Sequence, residues 1–174
     1  MIWVGSYWWA REAAADLDPL HIVSIMYPGA NYQIPAGPKL IGHIKIGMHD
    51  VVMDQRSLSG AYTAPSPEHV GQIIKFAQNW DRRGNIIVHC TAGVSRSTAT
   101  ALVILATGAP GLEIPIARLL RDRAPWAAPN ERIVGLADQL LNRKGALVRA
   151  LSAMGPAEMR GAPAPIMLPN DFGS

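Results

Sequence analysis

Asn85-Ile86-Ile87-Val88-His89-Cys90-Thr91-Ala92-Gly93-Val94-Ser95-Arg96-Ser97 decides how this chain folds, because a β-branched run leads directly into the only cysteine and a glycine-containing turn. Residues 85–88 read as a short buried strand, and residues 97–107, apolar on nearly every side, read as a buried helix. Cys90 therefore belongs to a strand-to-helix turn. Backbone N–H groups of Thr91, Ala92, Gly93, Val94, Ser95 and Arg96 can curl into a nest at the start of that helix, where unpaired donors and the helix dipole both favour an anion. Gly93 supplies a backbone angle closed to other residues. Arg96 adds a permanently charged planar fork that matches two phosphate oxygens at once.

An ordinary cysteine is mostly thiol at neutral pH, so a nucleophile here needs donors that favour the thiolate. A helix dipole alone contributes only about 0.3–1 kcal/mol, too little for that task. The nest, the Arg96 charge and the Ser97 hydroxyl are expected to share it, with His89 holding the cysteine end of the loop. The pattern describes a phosphate-handling nucleophile. Singly, each residue has a plainer role: an inert core cysteine, a surface arginine, a helix-capping serine. Their spacing between one strand and one helix favours the joint reading.

Outward from this turn, strands alternate with helices. Residues 2–4, 21–25 and 41–48 read as strands, with a helix over 7–15 and a Pro/Gly-rich loop over 28–38. Pro65-Ser66-Pro67 opens a helix whose Val70, Ile73, Ile74 and Ala77 recur at helical spacing, with Gly84 as its stop. Two amphipathic helices follow. Residues 113–123 place Ile116, Leu119 and Leu120 inward, and residues 130–142 place Ile133, Leu136, Ala137 and Leu140 inward, with Asn130 as N-cap. The order implies an α/β fold, a mostly parallel central sheet flanked by helices in a single domain, with the site at the carboxyl end of a central strand. Residues 146–154 suggest one more helix. The Pro- and Gly-rich segment 155–174 reads as a loosely packed C-terminal tail, leaving 1–154 as the domain.

The residues 89–97 resemble the signature loop of the cysteine-dependent protein tyrosine phosphatase superfamily: His-Cys, five residues, Arg, then Ser or Thr. With Ala-Gly inside the loop and Ser-Arg-Ser at its end, the chain is most similar to the dual-specificity branch and its bacterial relatives. The resemblance covers roughly residues 41–141, includes the Pro129-Asn130 start of the late helix, and implies a phosphatase-type fold. It assigns a phosphocysteine intermediate to Cys90, phosphate binding to Arg96, and release of the thiolate to Ser97. It also implies a general acid, an aspartate on the loop after a strand well upstream of the cysteine. Asp50 and Asp54 both follow the 41–48 strand; Asp50 is the better match and Asp54 stays open. His49 beside it either orients the acid or faces solvent.

Composition bounds the rest. The chain has 174 residues, 49% hydrophobic, enough for one full core. A single cysteine forbids an intramolecular disulfide and suits a reducing cytoplasm. The N-terminal apolar run lacks a basic flank and is broken by Arg11 and Glu12, so it reads as strand rather than signal peptide, and no stretch is long enough to span a bilayer. A net charge of +3 with scattered arginines gives no nucleic-acid patch; Arg118, Arg121 and Arg123 read as the wet face of a helix. The five histidines lack metal-ligand spacing, and the implied reaction needs no cofactor.

The expected partner is a phosphorylated protein or small phosphoester. The variable loop positions Thr91, Ala92, Val94 and Ser95 carry no basic side chain, which favours phosphotyrosine over phosphoinositide or RNA substrates. Phosphoserine, phosphothreonine and an inositol phosphate or phosphoinositide stay open, because pocket depth depends on the surrounding loops 28–38 and 54–65, where Tyr32 and Tyr62 either wall the pocket or pack locally. A non-catalytic phosphate-binding adaptor disagrees with the presence of both Cys90 and Arg96. A sulfurtransferase or arsenate reductase also holds a cysteine in an anion cradle, but a reductase wants a second thiol and this chain has none.

Overall fold

The computed structural model describes residues 1–19, 21–35, 37–53, 62–158, 162–170 and 172. Strand β1 (Ile2–Ser6) leads into α1 (Tyr7–Leu17), followed by β2 (His21–Met26) and β3 (Gly42–Gly47). Helix α2 (Pro67–Asn79) then precedes β4 (Ile86–Cys90), and α3 (Arg96–Gly108), α4 (Glu113–Arg123), α5 (Glu131–Leu140) and α6 (Ala146–Ala153) follow before β5 (Ile166–Leu168). The sheet order is β3-β2-β4-β1-β5, with β5 alone antiparallel. This is the mostly parallel α/β architecture that the strand and helix periods imply.

Strand alternation explains the two layers. Ile2, Val4, Val23, Ile25, Ile46, Ile86 and Val88 point to one face and build the main core with α2 to α6. Ile22 and Ile87 point to the other, where Ala10 and Ala14 let α1 approach closely. The central strands β2 and β4 are thus buried on both faces. Helix α3, which carries the signature arginine, is buried at every position from Arg96 to Ala106 because the sheet and the surrounding helices enclose it. Burial on all sides fixes the height of its N-terminus, and with it the catalytic turn.

Four readings need correction. Helix α2 stops at Asn79 rather than at Gly84: Trp80 leaves helical geometry, its indole Nε1 donates to the Arg83 carbonyl at 3.2 Å, and Gly84 at φ +69° makes a separate turn into β4. Leu140 is 48% exposed; the inward face of α5 runs through Ile133, Val134, Ala137 and Asp138, one position out of phase with it. Arg121 is a clamp rather than a wet-face charge, donating to the carbonyls of Ala124, Pro125, Met154 and Gly155. Within the supposed tail, Ile166–Leu168 forms β5 against β1 and buries Leu168, covering what would otherwise be an exposed sheet edge. A strand of three residues is too short for alternation to announce it. Asn170 secures that segment through hydrogen bonds with Arg82 and Gly84.

Candidate active site

Cys90 closes β4, and the chain then leaves the sheet for five residues before α3 begins at Arg96. Gly93 takes φ +79°, and a Cβ there would stand 2.6 Å from the Gly5 carbonyl carbon and 2.7 Å from the Ser6 nitrogen. Only glycine fits both the angle and the space. The loop is held from outside by its carbonyls: Thr91 O accepts from Tyr7 N, Val94 O from Ala128 N and the Thr98 hydroxyl, and Ser95 O from Asn130 N and again Thr98. In a trans peptide the N–H points opposite to the C=O. The amides of Ala92, Ser95 and Arg96 are thereby turned to the inner side of the loop.

The sulfur lies at the centre of this arrangement. Cys90 is 2% exposed, its Sγ accepts from Gly93 N at 3.3 Å, and Ser97 Oγ is also 3.3 Å away. Arg96, likewise buried, donates from Nη1 to Met48 O at 2.8 Å and from Nη2 to Thr91 Oγ1 at 3.1 Å. Its Nε has no hydrogen-bond partner among the described residues. A buried guanidinium donor without an acceptor is costly unless an anion takes it. Ser95, the N-cap of α3, makes no capping bond to the helix; its hydroxyl goes to Asp50 instead. That leaves the first-turn donors of α3 to the loop interior.

Asp50 stands at the rim. Its Oδ1 accepts from Ser95 Oγ at 2.7 Å and from Asn130 Nδ2 at 2.8 Å, while Oδ2 lies 3.9 Å from Arg96 Nε. Asn130 was legible as a helix cap and does cap α5, accepting from Ile133 N at 3.1 Å. Its second role, holding the aspartate, was not legible. Asp54 lies outside the described residues. His49 neither reaches Asp50 nor stands free: it pairs with Thr63 through backbone and ring and packs against Tyr62. Tyr32 packs against the rings of His89, His43 and Tyr7.

His89 is fully buried, with Nε2 2.5 Å from Ser24 Oγ. Burial pushes its pKa down to about 4, so the ring is neutral at physiological pH. His43 shares the same serine at 2.7 Å and is likewise lowered to about 4, by burial and by the charge of Lys45. Sequence reasoning missed Ser24 and His43, since a serine and a histidine on separate strands carry no local signal. Among the described residues, no three His, Cys, Asp or Glu side chains stand close enough to hold a metal ion.

The loop that joins Cys90 to Arg96 thus sits at the carboxyl end of a central strand of a mostly parallel α/β sheet, where such sheets bind ligands. Solved structures bear out the fold. Human DUSP28 matches with a TM-score of 0.60 at 17% identity, over 83% of this chain and 94% of that one. The Yvh1 phosphatase domain from Chaetomium thermophilum matches at 0.58 and 16%, over 84% and 93%. PTPMT1 in complex with PI(5)P matches at 0.57 and 12%, over 86% and 94%. The chain has the dual-specificity phosphatase fold. No protein-family model and no curated protein sequence matches it.

Proposed function

We propose that the protein is a cysteine-dependent phosphomonoesterase of the dual-specificity type, acting in the cytoplasm on phosphoproteins, with phosphotyrosine preferred. The observation that carries this reading is the joint placement of Cys90 Sγ against Gly93 N and Ser97 Oγ, with the buried Arg96 guanidinium beside them, its Nε ion-paired to Asp50 and without a hydrogen-bond partner among the described residues. A phosphoryl group in the loop takes the inward amides of residues 91–96 and the Arg96 fork. The Cys90 thiolate attacks phosphorus, an S–P bond forms as the P–O bond breaks, and Asp50 gives its proton to the departing oxygen. Asp50, now a carboxylate, takes a proton from water as the water attacks phosphorus. The S–P bond breaks, phosphate leaves, and the Ser97 hydroxyl donates to the returning thiolate. His89 keeps the cysteine end of the loop in place from beneath.

The absence of basic side chains at Thr91, Ala92, Val94 and Ser95 supports a phosphoprotein over a polyphosphorylated headgroup. No helix among the described residues is long and apolar enough to cross a membrane. The reading is tested by hydrolysis of p-nitrophenyl phosphate in the presence of EDTA, followed by a phosphopeptide and phosphoinositide panel. Turnover by the wild type and its loss in Cys90→Ser and Arg96→Ala is the expected result. A wild type inactive across mildly acidic pH overturns the reading, and preference for phosphoinositides overturns the substrate assignment.

A further inference from the structure

Three adjacent strands each place one polar side chain on the sheet face covered by α1, and all three meet at a single hydroxyl. Ser24 of β2 is fully buried, with His89 Nε2 of β4 at 2.5 Å and His43 Nε2 of β3 at 2.7 Å. The register sets Ser24 directly opposite His89 and places His43 diagonally across on the other side. The Tyr32 ring packs against both imidazoles. Unlike the rest of this face, which is apolar against Ala10 and Ala14, the cluster is polar, closed to solvent at Ser24 and His89 and half-buried at His43 and Tyr32. Buried polar groups of this kind persist when their hydrogen bonds are complete.

A serine hydroxyl has one hydrogen to give and two lone pairs to offer. Both rings are neutral at physiological pH. A neutral imidazole has one donor and one acceptor nitrogen, and the far side of His89 selects between them. His89 Nδ1 is buried and makes no hydrogen bond to any described residue, and the Cys90 backbone is the polar group that acts on the ring on that side. A hydrogen on Nδ1 would lie on the Cys90 side of the ring and leave Nε2 bare to accept from Ser24. Ser24 then accepts from His43 Nε2–H. A directed line of donors runs from His43 on the edge strand, through Ser24 and His89, to the peptide group of the nucleophile.

We propose that His43 and Ser24 are positioning residues for Cys90, fixing His89 in the tautomer that orients the Cys90 peptide and hence the amides following it. The proposal rests on the phosphatase reading for its consequence on rate, but not for the tautomers. Neither residue touches the phosphate. Both act through His89.

The test combines ring nitrogen NMR of the wild type at pH 7.5 with aryl phosphate kinetics of Ser24→Ala, His43→Phe, His43→Gln and the Ser24→Ala/His43→Phe double variant. The expected spectrum shows opposite tautomers, hydrogen on Nδ1 in His89 and on Nε2 in His43. Ser24→Ala and His43→Phe should each lower kcat about three- to tenfold with KM nearly unchanged. His43→Gln, whose amide N–H replaces the imidazole donor, should restore most of that loss. The double variant should be no slower than the slower single, since all act along one line. The same tautomer in both rings, no rescue by glutamine, or losses that multiply in the double variant overturns the proposal. If the variants fail to fold, the wild-type tautomers decide. An inactive wild type with the expected tautomers sinks the phosphatase reading and the rate consequence together, while leaving the hydrogen-bond direction standing.

Discussion

Asp50 shows how much of a residue's role depends on which of its atoms are already engaged. Oδ1 is taken by Ser95 and Asn130, which leaves Oδ2 on the side of the Arg96 guanidinium, where the proposed reaction would bring a substrate oxygen. This geometry favours Asp50 as the proton donor. Asp50→Ala is expected to slow aryl phosphate hydrolysis by ~10²-fold or more while leaving KM near the wild-type value. Steady-state kinetics on p-nitrophenyl phosphate check it. A loss of that size in Asp54→Ala, with Asp50→Ala unaffected, would transfer the role to Asp54. The grouping of Cys90, Arg96 and Ser97 was legible because a loop this short brings together neighbours in sequence. Asn130 and Ser24 were not, because their partners lie on other elements and only the packing brings them together.

At the level of elements, α5 and the segment after β3 share one amide side chain. Asn130 Oδ1 caps the helix while Nδ2 donates to Asp50 and to Val51 O, so the start of α5 and the acid are positioned together. Asn130→Ala removes both contacts and is expected to lower stability by about 0.5–2 kcal/mol and to reduce kcat. Asn130→Asp separates them, since a carboxylate still caps the helix but places a like charge beside Asp50. Its urea midpoint should stay near wild type while kcat falls. Urea denaturation and aryl phosphate kinetics on the two variants read the two roles, and equal kcat for Asn130→Asp and wild type would remove Asn130 from the acid's environment. The sequence reading departed from the structure where a local turn ended a helix early, Trp80 turning to reach Arg83 three residues on, and where Leu140 falls past the edge of the core.

For the molecule as a whole, the buried histidines tie stability to pH. His89 and His43 have pKa values lowered to about 4 in the folded protein, against about 6.5 in an unfolded chain. Above about pH 6.5 they are neutral in both states and the fold keeps its full stability. As pH falls from there toward 4, the unfolded chain binds protons that the folded chain excludes, and stability drops. Full linkage for one such group is about 1.4 kcal/mol per pH unit; His89 should approach it, and half-exposed His43 should contribute less. The urea midpoint is therefore expected to fall between pH 7.5 and pH 5, and a smaller fall in Ser24→Ala/His43→Phe would locate the effect in this cluster. An unchanged wild-type midpoint would contradict the burial of uncharged rings.

Local chemistry was enough to determine the strand-to-helix turn, the loop that joins Cys90 to Arg96, and the alternation that makes a mostly parallel sheet with helices on both faces. These depend on residues close in sequence, whose backbone preferences and polarity act over a few positions. Tertiary structure alone decided that Ile166–Leu168 completes the sheet, that Arg121 ties α4 to the segment after α6, that Asn130 reaches Asp50 and that Ser24 reaches His89. Such contacts join residues far apart along the chain, and hydrogen-bond partners at that separation are selected by shape and burial rather than by any period the sequence can display.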